Sequence, residues 1–250
     1  MLNNFEEYQK MSSVESSHWW YKSLHNLVLK NLLKFLPDKE SRILDAGCGS
    51  GGLISFLNQN KYLKTKGFDL SSAAVKLSKR KKVNIVKGDI KNIDKIFSNE
   101  LFDAIISNDT LYFLSNEEIS NFIDSCSKSI KFGGLLILNV PVFRVFSGVH
   151  DKAVGIEKRF TKKEINLLIN HKDFRLVKKT FWPFFLSPII LFVRSYQRMR
   201  YTIFKNTVKS DIGLPNAIIN NLLFKLTYTE TKYIKKSFFG SSLFVVLQKK

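Results

Sequence analysis

The sequence predicts an α/β protein with a doubly wound, Rossmann-like sheet of seven strands, an N-terminal helix and a helical insertion between the last two strands. Apolar segments of strand length alternate with segments of helical periodicity over residues 18–140, as in a parallel sheet covered by helices. The first apolar segment runs directly into a loop with glycine at positions 47, 49 and 51. A strand followed by such a loop suits close approach of the backbone to a nucleotide-like ligand.

The predicted elements follow one another along the chain. Apolar spacing predicts a helix over residues 18–36, which Pro37 ends because proline cannot continue a helix. The segment over residues 134–140 is almost entirely apolar, which is typical of a strand covered on both faces. Strands are predicted over residues 42–46, 65–69, 83–87, 102–107, 134–140, 174–181 and 239–248, and further helices over residues 52–59, 71–80, 116–130 and 161–170.

The chain divides into three predicted parts. We expect an N-terminal helical cap over residues 1–40, a central domain over residues 41–183 and 238–250, and an insertion over residues 184–237, which is too long for a simple loop. Two helices are predicted in the insertion, over residues 188–204 and 214–228. The first places these side chains near one face: Ile189, Phe192, Val193, Tyr196 and Met199 or Arg200.

Charge is distributed unevenly along this chain of 250 residues with net charge +19. Residues 1–140 contain 19 Lys or Arg and 15 Asp or Glu, whereas residues 141–250 contain 21 and 6. The asymmetry indicates that the C-terminal half faces something anionic. The alternative is a compositional bias, since Lys outnumbers Arg 32 to 8.

The composition also excludes several classes of protein. The two cysteines, Cys48 and Cys126, lie in a loop and in a predicted helix, so a disulfide framework is not expected. The first ten residues are polar and acidic, and no apolar run reaches the roughly 20 residues of a spanning helix. We therefore expect a cytoplasmic chain, either free or peripheral on the inner face of the membrane.

Five motifs in order carry a family resemblance. They are Asp45-Ala-Gly-Cys-Gly-Ser-Gly51, Gly67-Phe-Asp69-Leu-Ser71, Gly88-Asp89-Ile90, the segment from Phe102-Asp103 to Asn108, and Gly133-Gly134. Over residues 40–182 and 238–248 the chain resembles class I S-adenosylmethionine-dependent methyltransferases. A nicotinamide-type fold, whose loop has the pattern Gly-x-Gly-x-x-Gly, is the nearest alternative.

Two flanking stretches narrow the resemblance. His18-Trp19-Trp20-Tyr21 precedes the glycine loop (residues 47–51), and His150-Asp151 and Lys158-Arg159 follow the fifth predicted strand. This combination resembles a branch of the type 11 methyltransferases that is often found among lipid and cell-surface glycan genes. That branch commonly has a basic residue where this chain has Glu157, so no role is carried over to that position.

The resemblance implies S-adenosylmethionine as cofactor and assigns residues to it. The three glycines leave room for the methionine part of the cofactor. Asp69 would accept hydrogen bonds from the cofactor's ribose hydroxyls, and Asp89 would accept one from its adenine amino group. Asp45 orients the loop or meets the ligand's ammonium group. The implied cofactor-binding set is Asp45, Gly47, Gly49, Gly51, Asp69, Leu70, Asp89, Ile90, Asn108 and Trp20.

Most candidate catalytic and acceptor-binding residues lie in the two flanking stretches. The sequence gives no reason to expect a bound metal. His150 is the candidate general base, because histidine titrates near neutrality, and Asp151 would orient its side chain. The alternative interpretation, equally compatible with the sequence, is that both residues cap a loop. Lys158 and Arg159 suit a phosphate or carboxylate on the acceptor, or form a solvated basic turn. Tyr21 and Tyr112 are further acceptor-binding candidates, while the aromatic run that contains Tyr21 either covers the methyl donor or docks its helix on the core.

The sequence leaves three functions open. The first is a methyltransferase acting at an anionic membrane surface on an amphipathic or anionic acceptor, such as a lipid headgroup or a lipid-linked sugar. The second is a methyltransferase acting on a soluble small molecule or on RNA, with nucleic acid disfavoured because no RNA-binding module is recognisable. The third is a non-catalytic module that binds S-adenosylmethionine. The apolar insertion serves a membrane, a buried subdomain or a second subunit equally well, so an oligomer stays open.

Overall fold

A computed structural model describes residues 5–98, 100–148, 151, 155–156, 158–204, 213–234 and 236–250. Its centre is a seven-stranded sheet in the order β3-β2-β1-β4-β5-β7-β6. Strands β1 to β5 pair in parallel, while β7 runs antiparallel between β5 and β6. The predicted fold class is therefore confirmed. The strands are β1 (Ile43–Ala46), β2 (Thr65–Asp69), β3 (Ile85–Lys87), β4 (Phe102–Asn108), β5 (Ile130–Pro141), β6 (Phe174–Trp182) and β7 (Ser242–Lys249).

Helices cover both faces of the sheet, and two of them begin with the capping box that joins a hydroxyl to a Glu three residues on. These pairs are Ser115 with Glu118, and Thr161 with Glu164. Two helices precede β1 where the sequence predicted one. The helices are α1 (Phe5–Val14), α2 (Trp19–Phe35), α3 (Gly52–Gln59), α4 (Ser72–Ser78), α5 (Ile93–Ile96), α6 (Asn116–Ser129), α7 (Lys162–Ile169), α8 (Ser187–Phe204) and α9 (Ala217–Tyr233).

The core has two layers because successive strand residues point to opposite faces of the sheet. On one face, Leu136 of β5 packs in a cluster with Phe122 of α6. On the other face, the adjacent Ile137 joins a cluster with Leu27 of α2 and Leu57 of α3. A strand that buries both faces needs apolar residues at every position, which explains the composition of β5.

The insertion (residues 184–237) attaches to the N-terminal helices through polar contacts. Asn220 of α9 accepts a hydrogen bond from Trp19 N at 2.9 Å and donates to Ser17 O at 2.9 Å. Glu230 accepts from the backbone nitrogens of Phe184 and Phe185 at 2.6 and 2.9 Å, which ties the end of α9 to the start of the insertion. Among the helices that the structure describes, none is both long and apolar enough to cross a membrane.

Candidate active site

A cavity of about 570 Å³ opens at the carboxyl ends of β1, β2 and β4 and extends to the insertion. Parallel strands of an open α/β sheet place their ligand sites at this edge. The cavity wall brings together most of the residues that the sequence singled out. They are Trp20, Tyr21, Asp45, Gly47, Gly49, Asp69, Leu70, Asp89, Ile90, Asn108, Tyr112 and Arg159.

Three other candidates lie off this wall, and His150 lies outside the described residues. Gly51 has φ +83° and begins α3, where an added Cβ would lie 2.7 Å from side-chain atoms of Val83 and Ile85. Its role is therefore a tight turn and close packing. Lys158 turns toward α6 and α7, where its ammonium group lies 3.1 Å from Asn116 Oδ1 and 3.7 Å from Glu164 Oε1.

Asp151 is the remaining candidate off the wall, and it forms a bidentate ion pair with Arg159. The guanidinium Nε and Nη2 donate to the two carboxylate oxygens at 2.7 and 2.9 Å. Arg159 Nη1 also donates to Val142 O and Ser241 O at 3.3 and 3.2 Å. Four donated bonds fix the guanidinium against β5 and β7, and Asp151 offsets its charge.

The glycine loop approaches the cavity with backbone rather than side chains. Gly47 has φ +76°, and an added Cβ would lie 2.5 Å from Thr110 Cγ2, so only glycine fits there. Gly49, with φ +54°, donates its backbone N–H to Asp69 Oδ2 at 2.8 Å. The loop and the acidic end of β2 are thereby joined into one surface.

Asp69 is buried and accepts hydrogen bonds on both carboxylate oxygens. Oδ1 accepts from Ser71 N at 2.9 Å and from the Tyr8 hydroxyl at 3.3 Å. Burial raises the pKa of Asp69, while the backbone hydrogen bonds from Ser71 and Gly49 oppose the shift. A carboxylate at a strand end with this geometry suits a ligand's hydroxyl groups, which compete for the same acceptor oxygens.

Asp45 is enclosed at the end of β1. Burial raises its pKa to about 8, with a further contribution from the charge of nearby Asp69. A cationic group placed beside this carboxyl would return it to its ionised form. The cavity therefore offers a cation-binding position next to a hydroxyl-binding one.

Helix α1 covers part of the cavity and was missed as a source of site residues. Tyr8 contacts Asp69 as described, and an added Cβ on Gly49 would lie 2.9 Å from Met11 Cε. Glu15, just after α1, accepts from Ser50 Oγ at 2.5 Å and pairs with Lys81, whose pKa burial lowers to about 8. The spacing of Phe5, Tyr8 and Met11 was the available helical signal.

The aromatic run at the start of α2 forms another part of the wall. His18 caps the helix, since its Nδ1 accepts from Trp20 N at 3.2 Å. The Trp20 ring stacks on Trp182 at the end of β6, with ring centroids 4.5 Å apart. Tyr21 also lines the cavity, and burial and the charge of Asp109 raise its pKa.

Asp109 and Thr110 follow β4 on the cavity wall and were not among the candidates. Asp109 has φ +51°, an unusual value for a residue other than glycine, and accepts from Asn139 Nδ2 at 2.9 Å. Asn139 Oδ1 in turn accepts from Trp182 Nε1 at 2.8 Å. Among the described residues, nothing hydrogen-bonds to the buried Oδ1 of Asn108. The signal in the sequence was the acidic residue directly after the candidate Asn108.

Residues 43–134 match the model of a family described as "Methyltransferase domain". The chain is 31% identical over 114 residues to phosphoethanolamine N-methyltransferase from Plasmodium falciparum, covering 42% of each sequence. It is 25% identical over 158 residues to malonyl-[acyl-carrier protein] O-methyltransferase from Bacillus cytotoxicus, covering 60% of this chain and 54% of that one. The chain thus spans about half the length of the curated relatives it matches.

A similar fold occurs among solved structures. One is magnesium protoporphyrin IX methyltransferase from Synechocystis PCC 6803 with bound SAH, which shares 15% identity and a TM-score of 0.55. The alignment covers 92% of this chain and 84% of that one. At this identity the likeness concerns the fold, which therefore extends well beyond residues 43–134 to nearly the whole chain.

Proposed function

We propose that the chain carries a class I S-adenosylmethionine-dependent methyltransferase domain with S-adenosylmethionine as its cofactor, and that the protein methylates an amphipathic acceptor at a membrane surface. The acceptor is a lipid headgroup, a lipid-linked sugar or a molecule of similar character. The observation that carries the proposal is a single cavity that begins at the glycine loop and is also lined by α8 of the insertion.

The residues at the sheet end of the cavity fit the cofactor's chemical groups. Gly47 leaves backbone exposed where a Cβ would collide with Thr110, so a ligand can lie close to the loop. Asp69 would hold the ribose hydroxyls, Asp89 the adenine amino group and Asp45 the ammonium group, whose charge would ionise that buried carboxyl. When bound, the cofactor supplies an electrophilic methyl group on a sulfonium sulfur.

The protein's own contribution to the reaction is placement. Methyl transfer requires the acceptor atom to approach the methyl carbon in line with the departing sulfur, and holding this geometry supplies much of the acceleration. Trp20 and Tyr21 on one wall and Tyr112 on the other enclose the space beside the glycine loop. Their rings exclude water and suit a cationic sulfonium, which is attracted to aromatic faces.

Helix α8 connects the cavity with an exposed apolar surface. Ile190 and Arg194 of α8 line the cavity, as do Gly213 and Pro215 before α9. The opposite side of α8 carries large apolar side chains at helical spacing that are 41–73% exposed. We call this set the α8 stripe: Ile189, Phe192, Val193, Tyr196, Met199 and Ile203.

An anionic bilayer is the partner that best fits the α8 stripe. Residues 184–237 contain nine Lys or Arg and two Asp or Glu, so the apolar surface lies in a strongly basic segment. Contiguous exposed apolar patches of more than a few hundred Å² are uncommon on monomeric soluble proteins and mark interaction sites. Basic amphipathic helices bind in the interface plane of anionic membranes, with the apolar side among the acyl chains.

The free energies of apolar burial and of charge attraction at the membrane can be compared. Burying one large apolar side chain contributes ~1.5–3 kcal/mol. One Lys or Arg near an anionic surface contributes about 1 kcal/mol and is screened by salt. Because the six side chains of the α8 stripe are only 41–73% exposed, their burial and the attraction of the cations contribute comparable amounts, and we expect salt to weaken membrane binding without abolishing it.

Flotation with lipid vesicles tests this surface directly. We predict that the wild-type protein floats with phosphatidylcholine vesicles containing phosphatidylglycerol and that Phe192→Ser reduces the bound fraction at least ~5-fold, because one apolar anchor is lost. Phe132→Ser is the matched control, since Phe132 at the start of β5 is 85% exposed at the other end of the sheet. A wild-type protein that stays soluble at low salt, or equal effects of the two substitutions, would contradict the proposal.

The same variants distinguish membrane binding through the α8 stripe from dimerisation through it. If the α8 stripe were a dimer interface, sedimentation without vesicles would give a dimer that Phe192→Ser dissociates. We expect a sedimentation profile without vesicles that is identical for the wild type and both variants. Incorporation of tritiated methyl groups into chloroform-extractable lipid then tests the acceptor class, and incorporation only into water-soluble molecules would contradict it.

A further inference from the structure

One carboxyl group on the cavity wall has no part in the cofactor assignment. Asp109 lies directly after β4, two strands away from the acidic end of β2 that suits the ribose. Its neighbours on the wall are Tyr21 from α2 and Tyr112 from the turn after β4, and burial, with a further contribution from the Asp109 charge, raises the pKa of both phenols. It therefore lies on the part of the wall proposed above for the acceptor.

A ring of side chains holds the Asp109 carboxyl in place. Asn139 donates to it at 2.9 Å and accepts from Trp182, Trp182 stacks on Trp20, and the Trp20 side chain lies near enough to Asp109 to lower the pKa of its carboxyl. A carboxylate has about four acceptor positions, and Asn139 occupies one of them. The remaining acceptor capacity is available to a ligand in the cavity.

We propose that Asp109 is the general base that accepts the proton of the attacking hydroxyl or amine of the acceptor. The inference rests on the proposed function. As the acceptor oxygen or nitrogen forms its bond to the methyl carbon, the bond from that carbon to sulfur breaks and its electron pair passes to sulfur. The acceptor's proton moves to the Asp109 carboxylate, which later releases it to solvent.

Other ionisable groups on or beside the described wall are committed elsewhere. His18 uses its Nδ1 to cap α2, and Asp151 is paired with Arg159. His25 is buried between Tyr21 and Phe56, and burial lowers its pKa to about 4. The sequence-based candidate His150 lies outside the described residues, so the experiment must separate its contribution from that of Asp109.

The charge environment gives the expected pH dependence. Burial raises the pKa of Asp109 to about 7, while the hydrogen bond from Asn139, the Trp20 side chain and the Arg159 cation oppose the shift. The two phenols that face it are neutral in this range. A base acts in its deprotonated form, so the rate should rise as pH increases through about 7 and then level off.

The test compares Asp109→Asn with the wild type in the full chain. Asn keeps an acceptor oxygen for Asn139 but cannot take a proton. We expect S-adenosylhomocysteine affinity within about 3-fold of wild type by calorimetry and transfer of tritiated methyl groups to extracted lipid reduced ~100-fold or more, with the rise near pH 7 lost. Asp94→Asn, an exposed residue of α5, is the matched control and should behave as wild type.

A second readout needs no acceptor. In protein labelled with ¹³C at the aspartate carboxyl carbons, one resonance should titrate near pH 7 and disappear in Asp109→Asn while persisting in Asp94→Asn. If Asp109→Asn does not fold, Asp109→Glu should retain the pH profile at a reduced rate, because the carboxylate is retained.

The possible outcomes test the proposed function and the role of Asp109 separately. A wild-type protein that binds no S-adenosylhomocysteine and methylates nothing overturns the proposed function, whatever the carboxyl titration shows. A wild-type protein that is active, together with an Asp109→Asn variant that keeps the rate and pH profile, overturns only the inference and returns the role to His150. An active wild-type protein in which the Asp109 carboxyl titrates near pH 4 also overturns the inference.

Discussion

Asp45 combines a cost in stability with a proposed role in binding the cofactor's ammonium group. Its pKa in the folded protein is about 8, above the ordinary value of 3.8, because the charged form is desolvated beside Asp69. The folded state therefore holds the proton more tightly than the unfolded state. Stability should fall as pH rises from about 4 to about 8 and then become constant with respect to this group.

We predict that Asp45→Asn stabilises the free protein above pH 8, since the amide carries no charge to desolvate. The gain should be at least ~1 kcal/mol, or roughly 2–4 °C in Tm for a chain of this size. The same substitution should weaken S-adenosylhomocysteine binding ~10-fold or more, because a charge-assisted contact with the ammonium group is lost. Calorimetric melting and titration at pH 6 and pH 9 measure both effects, and a variant less stable than wild type at pH 9 would disprove the argument.

The location of a site residue could be predicted from the sequence where the end of one strand fixes its position. Asp69 ends the predicted strand over residues 65–69 and Asp89 follows the one over residues 83–87, so their meeting at one edge followed from the parallel arrangement. Asp109 was not predictable, because its importance depends on Asn139 and Trp182, which are distant in the sequence. Lys158 resembled an anion ligand in sequence, but Glu164 and Asn116 lie close enough to hold it away from the cavity.

At the scale of elements, α1 is attached to the glycine loop rather than to the core. Its attachments are Tyr8 on Asp69, Met11 beside Gly49, and Glu15 with Ser50 and Lys81. Its sequence is mostly polar and lacks the apolar run of a core helix, which is why it was not predicted. A helix held mainly by polar contacts around a ligand site is suited to open when the ligand enters.

We predict that Glu15→Ala accelerates hydrogen exchange in residues 5–14 at least ~10-fold while the amides of β1, β4 and β5 keep wild-type protection. Removing one partner of a buried ion pair costs about 3–5 kcal/mol, and here the cost falls on one helix. Mass spectrometry of peptic fragments measures the exchange. The matched control is Glu40→Ala, which removes an exposed pair with Lys64 and should change nothing; uniform acceleration across the sheet would contradict a local role for α1.

At the scale of the whole molecule, the sequence predicted the architecture because each level of pattern agreed with the others. Strand length, apolar composition and strand-end acids indicated a parallel sheet, which holds for β1 to β5, while β7 runs antiparallel to β5 and β6. The location of the insertion between β6 and β7 was likewise predicted. Its contact with the cavity was not, because Ile190 and Arg194 reach the site only through packing between elements distant in the chain.

The arrangement couples three regions around one space. As proposed above, the glycine loop and strand ends hold the cofactor, and the aromatic start of α2 and the turn after β4 face the acceptor. Helix α8 leads outward from the cavity to the α8 stripe. In the proposed function, an acceptor anchored in a bilayer reaches the cavity without leaving the membrane surface. The protein then needs only to position the acceptor atom and accept a proton.

The most direct measurement is a calorimetric titration of the full-length protein with S-adenosylmethionine, alongside Asp69→Ala. Asp69 joins β2 to the glycine loop through Gly49 N, and its carboxylate is the group proposed to hold the ribose. We expect one molecule to bind the wild type and a loss of at least ~100-fold in affinity in Asp69→Ala, whose melting temperature confirms that it is folded. Absence of wild-type binding, or equal affinity in the folded variant, would contradict the account.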